Sequence, residues 1–240
     1  MLSSSGCFMI DRRAFLASLF AVALPPSLRA GDFPEPMLEA VADGLDRPWS
    51  FAFLPDGAVL VTEKAGALRS IGGDRKLSEP VAGLPDIDAD GQGGLLDIAL
   101  HPGFAQTRLV FLSFTEPREG GMNATSVMRG RLSEDLRSIT EVKVIFRQQP
   151  AATGGHHFGS RLAFDRTGAL FVTTGDRNSL RGLVQEPDNH IGKIIRITPD
   201  GAAAENNPFA GRDDAKPEIW SYGHRNAQSL ALNPVSGDLW

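Results

Sequence analysis

At 240 residues, with 42% hydrophobic and 22% charged side chains, the chain is long enough for one large or two small globular domains. A net charge of -5 and a pI of about 5.5 argue against a nucleic-acid partner, which would want a basic face. Its 26 glycines and weak helical periodicity favour an all-β fold with many tight turns.

The first 30 residues read as an export signal. Asp11-Arg12-Arg13-Ala14-Phe15-Leu16 opens a modestly apolar run over residues 15–24, which closes at Leu28-Arg29-Ala30. Twin arginines before Phe-Leu are similar to a bacterial twin-arginine signal cleaved after Ala30; a Sec signal that carries two arginines is the alternative. The apolar run falls short of the ~20 residues that span a bilayer. No stable membrane insertion is therefore expected, and the mature chain, residues 31–240, is expected in the periplasm or secreted. The single cysteine, Cys7, lies inside the signal, which excludes disulfides, thiol catalysis and zinc–thiolate sites from the mature chain.

Beyond the signal one pattern recurs: an apolar run, a turn with glycine, and a second apolar run. Residues 51–63, FAFLPDGAVLVTE, are the first copy. Residues 98–103, IALHPG, followed by 108–114, are the second, with a longer turn. Residues 161–165 and 169–174 are the third, joined by Arg166-Thr167-Gly168, where glycine is free to take positive φ. Residues 230–240, LALNPVSGDLW, are the fourth. Corresponding positions 51, 98, 162 and 230 lie 47, 64 and 68 residues apart, with further strands at 66–71, 126–132 and 192–197 in the intervals. Short strands in units of this length point to a β-propeller with loop insertions. A sandwich also has many short strands, but it does not repeat one hairpin with the same turn chemistry.

The third copy carries the functional argument. His157 lies ten residues before Thr167 and Asp176 nine after it, so antiparallel pairing returns both to the open end of the hairpin. A histidine beside a carboxylate is the arrangement of a general base with a fixed tautomer, and it is also a common loop contact. Superposing the copies strengthens the first reading. A shift of 68 carries His157 onto Arg225, and a shift of 64 carries it onto Gly93, beside Gln92. Equivalent positions in a propeller face one end of the central channel. Gln92, His157 and Arg225 are therefore expected to converge on one pocket.

Five stretches occur in order from about residue 45 to residue 240: GLDRPWSFAFLPDG, GQGGLLDIALHPGF, HFGSRLAFDRTGALFVTTGD, IGKIIRITPDG with NNPF, and EIWSYGHRNAQSLALNP. Together, and through H-F-G-x-R-L and Y-G-H-R-N in particular, they resemble the soluble pyrroloquinoline-quinone-dependent sugar dehydrogenases of the glucose/sorbosone and aldose sugar dehydrogenase type. The resemblance implies an all-β, six-bladed propeller, with about four blades in this chain. It implies oxidation of aldose sugars at C1 with hydride transfer to pyrroloquinoline quinone (PQQ), a calcium ion, and an external electron acceptor. It gives His157 the role of base toward the anomeric hydroxyl and Asp176 that of orienting the histidine. Arg225 would stand beside the quinone carbonyls, with Gln92 and Asn226 as further cofactor contacts. His157, and not His156, has the motif's spacing of four residues to Arg161. Ser160 stands where the family usually has glycine, a departure close to the base.

The remaining conspicuous residues have plainer readings. His101 reads as a turn residue, and His190 and His224 as loop residues without companions at metal spacing. Asp86, Asp88 and Asp90 lack the twelfth-position Glu of a calcium loop, where Asp97 stands, and read as a solvated loop. Trp49 reads as core packing, and the sequon Asn123-Ala124-Thr125 as incidental. The chain stops at Trp240 inside a hairpin, so a C-terminally truncated propeller is expected; the resemblance implies that a loop helping to bind the calcium lies further on, and no metal ligand is assigned here. Two other functions are compatible with a propeller. A calcium-dependent lactonase would need carboxylate and asparagine ligands from several blades. A non-enzymatic extracellular binding module, or an inactive fragment, would have no need of the histidine or the arginine.

Overall fold

The computed structural model describes Met37 and residues 39–240, so the export signal expected over residues 1–30 lies outside the described residues. From Val41 onward the chain forms one unit built of antiparallel meanders. β1 (Pro48–Phe53), β2 (Val59–Glu63) and β3 (Ala67–Ile71) make the first sheet. β4 (Leu95–Leu100), β5 (Leu109–Pro117), β6 (Asn123–Leu132) and β7 (Ile139–Arg147) make the second. β8 (Gly159–Phe164), β9 (Leu170–Thr174), β10 (Lys193–Ile197) and β11 (Ile219–Tyr222) make the third. The fourth repeat is present as a hairpin closed by paired backbone bonds between Ala231 and Trp240. Within the sheets strands pair in sequence order, and the first strands β1, β4 and β8 pack beside one another. This is the arrangement of propeller blades around an axis.

The first blade has three strands rather than four. Residues 72–94 are rich in Gly, Pro and Asp and form no further strand. An irregular segment instead lies along β3, through Ser78 N to Ser70 O and Val81 N to Leu68 O.

Turn chemistry explains the repeats. In the first copy Gly57, at φ 87°, donates its N–H to Leu54 O while Asp56 accepts from Ala58 N. In the third, Gly168 donates to Asp165 O, and Asp165 caps Thr167 and Ala169. The second copy substitutes a short helix, α1 (Phe104–Thr107), which accounts for its longer turn.

Period-two alternation distributes the core. In β5, Val110, Leu112 and Phe114 pack with Leu54, Leu60 and Leu68 of the first blade, whereas Phe111 faces Leu162, Leu170 and Val172 of the third. Each first strand also carries a bulge that a hydroxyl fills. Ser50 N donates to Thr62 Oγ1, Asp97 N to Ser113 Oγ, and Arg161 N to Thr173 Oγ1. Each hydroxyl then donates to the next blade, at Leu96 O, Ser160 O and Ala227 O respectively. Positions 50, 97 and 161 are 47 and 64 residues apart, the same spacings that relate the hairpins in the sequence.

Candidate active site

The hairpin returns His157 and Asp176 to one end, as its arithmetic requires. Two glycines make the approach possible. A Cβ on Gly175 would fall 1.8 Å from His157 O, and one on Gly159, at φ 65°, would fall 2.7 Å from the Thr174 backbone. His157 itself has a positive φ of 54°. Its Nδ1 lies 2.6 Å from Asp176 Oδ1, which also accepts from Asn178 N at 2.7 Å. A carboxylate only accepts, so in a neutral imidazole this contact places the hydrogen on Nδ1 and leaves the lone pair on Nε2. No hydrogen bond from a described residue reaches Nε2, and the side chain is 15% exposed.

Neighbouring blades supply the rest. Gln92 N donates to Gly155 O at 2.7 Å, an approach that leaves a Cβ on Gly91 only 2.4 Å from the same oxygen. Gln92 Oε1 accepts from His157 N at 2.9 Å. On the other flank Asn226 Oδ1 accepts from Gly159 N at 2.9 Å, and Arg225 O accepts from Asp176 N at 2.8 Å. Both amides are thus anchored through their oxygens, which leaves Gln92 Nε2 and Asn226 Nδ2 as donors without protein acceptors among the described residues. The Arg225 side chain is exposed, and its guanidinium has no hydrogen bond or ion pair among the described residues. His157, Asp176, Gln92, Arg225 and Asn226 therefore meet at one rim.

Other expectations fare variously. His156 is exposed, and its ring makes only an edge contact with His157. His101 Nδ1 accepts from Gly103 N within its turn. His190 does lie in a loop but is buried, with Nδ1 accepting from Gln149 N and Nε2 donating to Glu218. His224 shares a hydrogen bond with Ser221, and burial, with Lys193 nearby, depresses its basicity. Trp49 is half-buried rather than core, lying 4.3 Å from the Arg161 guanidinium. Arg161 in turn pairs with buried Asp97, which also binds Ser50 and Leu162 N at the axis. Asp86 and Asp90 are exposed, but Asp88 accepts from Asn123 Nδ2. The Asn123 side chain is thereby occupied, consistent with an incidental sequon. Ser160 is fully buried at φ 89°, a conformation that favours glycine.

Sequence reasoning passed over two buried cations. Arg177, 2% exposed, directly follows Asp176 in the sequence. Lys193, fully buried, opens an apolar strand. No periodicity distinguishes such residues from surface charges. Among the described residues no group of three or more His, Cys, Asp or Glu could hold a metal ion, so the implied calcium gains no ligand set here.

Fold and site together define a β-propeller protein with a carboxylate-held histidine on its rim, beside two amides whose NH₂ groups meet no acceptor among the described residues. Residues 45–240 match the family described as Glucose / Sorbosone dehydrogenase, and the chain belongs to that family. It is 46% identical over 204 residues to the aldose sugar dehydrogenase YliI of Escherichia coli (strain K12), covering 85% of this chain and 55% of that one. A solved glucose dehydrogenase superposes with a TM-score of 0.83 at 50% identity, covering 85% of this chain and 60% of the other. The PQQ-bound form of an aldose sugar dehydrogenase from Streptomyces coelicolor gives 0.74 at 32% identity, with coverages of 84% and 57%. The chain thus spans a little over half the length of these relatives.

Proposed function

We propose that this chain carries the base of a quinoprotein that oxidises aldose sugars at C1, exported to the periplasm or beyond. The observation that carries the reading is the 2.6 Å contact of His157 Nδ1 with Asp176, which leaves Nε2 as a free proton acceptor on the rim. A quinone bearing carboxylates is rich in acceptor oxygens. Gln92 Nε2, Asn226 Nδ2 and the Arg225 guanidinium are donors without partners among the described residues, so the residues present fit PQQ. When bound there, PQQ would supply the acceptor for the hydride that leaves sugar C1. His157 Nε2 takes the proton of the anomeric hydroxyl, so that the sugar leaves as its lactone. Asp176 holds the imidazole in the required tautomer and stabilises its protonated form. Arg225 offsets negative charge on the acceptor side. Calcium and the external electron acceptor belong to the family resemblance, and no step above depends on either.

The test is dye-linked glucose oxidation by the purified chain, with and without PQQ and calcium. Turnover is expected only with quinone, and His157→Ala is expected to lower kcat by about 100-fold to 10,000-fold, the range for loss of a general base. Asp176→Asn should lose less, because the base remains while its tautomer is no longer fixed. Quinone binding without turnover in any form of the chain would favour the binding-module reading. Turnover that survives in His157→Ala would place the base elsewhere.

A further inference from the structure

The loop that carries His157 is held from beneath by a buried guanidinium. Arg177 Nε donates to His156 O at 3.1 Å, and Nη2 donates to Gly154 O at 2.5 Å, so the chain just before the base is fixed at two carbonyls. The same guanidinium donates to Asn123 O through Nη1 at 2.8 Å and to Asn123 Oδ1 through Nη2 at 2.5 Å. It lies 4.0 Å from the centre of the Phe158 ring. Asn123 passes the contact onward, with Nδ2 donating to Asp88 Oδ2 at 2.7 Å. The amide has one permitted orientation, since reversing it would set its NH₂ against the guanidinium and its oxygen against the carboxylate. Asp88 sits in residues 86–92, the segment that ends in Gln92 and so reaches back to His157 N. Asp88, Asn123 and Arg177 therefore join the two rim loops that meet at the base.

We infer that Arg177 is a positioning residue for His157, acting through the Gly154 and His156 carbonyls and anchored through Asn123 to Asp88. The inference rests on the reading of His157 as the base. No hydrogen bond among the described residues joins the Arg177 guanidinium to the imidazole itself; what it fixes is the peptide whose positive φ turns the ring onto Asp176. Burial lowers its basicity to about 10, opposed by Asp88, which leaves it charged at neutral pH. The hydrogen bond from Asn123, with a second from Asp90 N, holds the Asp88 carboxyl below its ordinary range, so this end of the chain is anionic. A planar fork with several fixed donors suits four acceptors in different directions, which a lysine ammonium on a flexible stem does not reproduce.

The test reads geometry before activity. In protein labelled with ¹⁵N-histidine, the proton shared by His157 and Asp176 should give a downfield resonance, assigned by its disappearance in His157→Ala and its persistence in His156→Ala. Arg177→Lys, which keeps the charge and loses the fork, and Arg177→Gln should each lose that resonance or move it upfield while the far-ultraviolet circular dichroism stays that of the wild type. Should neither fold, Asp88→Ala decides, with an expected smaller displacement in the same direction. In turnover, kcat should fall about 100-fold with KM little changed, the scale of a displaced reacting group. A folded Arg177→Lys or Arg177→Gln that retains the wild-type resonance, or failure of both to fold with Asp88→Ala unchanged, overturns the inference. A wild-type chain whose resonance is lost in the Arg177 variants but which shows no quinone-dependent turnover would instead defeat the sugar-oxidation reading while leaving Arg177 as what positions the His157 ring.

Discussion

Ser160 lies three residues from the base at φ 89°, fully buried, with its hydroxyl donating to Gly159 O in the same strand. Its own carbonyl accepts from Ser113 Oγ, so the peptide is fixed by the neighbouring blade and the side chain must tolerate the conformation. A non-glycine residue held at such an angle costs on the order of 1–3 kcal/mol, partly offset because glycine loses more freedom on folding. Ser160→Gly is therefore expected to raise the unfolding free energy by about 1 kcal/mol in urea titrations, with the His157 to Asp176 contact unaltered. A loss of stability would mean that the hydroxyl bond outweighs the backbone strain. The same stretch shows which residues a sequence discloses. His157 and Asp176 were legible because hairpin pairing is simple counting, and Arg225 and Gln92 because the repeats superpose. Arg177 was not. Its burial depends on carbonyls at residues 123, 154 and 156, which come together only in the folded chain.

At the scale of strands, the hydroxyl in each bulge is the joint between blades. Ser113 Oγ accepts from Asp97 N and donates to Ser160 O, and all three residues are buried. Ser113→Ala would leave a buried donor and a buried acceptor unsatisfied, at roughly 1–3 kcal/mol each. An unfolding free energy lower by about 2–6 kcal/mol is expected. Hydrogen exchange should also quicken at the Asp97 amide ahead of the amides in β6. An effect below about 0.5 kcal/mol would show that the bulge closes on itself without the hydroxyl. The turns of these blades were readable from Asp and Gly at fixed places, and the spacings of 47 and 64 were readable from the apolar runs. The bulges were not, because serine or threonine inside a strand looks like a solvent-facing position. The three-stranded first blade escaped for a related reason: residues 72–94 follow β3 through irregular backbone bonds that no side-chain alternation announces.

Over the whole molecule the buried lysine sets a stability that varies with pH. Lys193 begins β10 on the strand face that the loop after β9 covers, and its ammonium donates to Ile191 O at 2.5 Å, Val184 O at 3.1 Å and Leu183 O at 3.3 Å. That loop supports the rim in turn, since Val184 O accepts from Gly223 N and Gly192 O accepts from His224 N, just before Arg225. Among the described residues no carboxylate pairs with the ammonium. Burial lowers its pKa to about 8, with the charges of Asp188 and Glu186 opposing the shift from a distance. For a base with a depressed folded pKa, the unfolded chain holds the proton over the interval from about 8 up to the ordinary lysine value near 10.4, while the folded chain has released it. The unfolded state then binds more protons, so stability rises with pH across that interval, and below it the burial penalty on the charge is felt in full. Lys193→Met removes this dependence and leaves the other titrating groups in place. The wild-type unfolding free energy minus that of the variant is therefore expected to climb between pH 8 and pH 10, with a slope of at most about 1.4 kcal/mol per pH unit. Parallel urea titrations of the two proteins at pH 7, 8, 9 and 10 measure it. A flat difference would mean that the carbonyl cage compensates for burial and keeps Lys193 charged throughout, as a fixed cation pinning the loop that leads to Arg225.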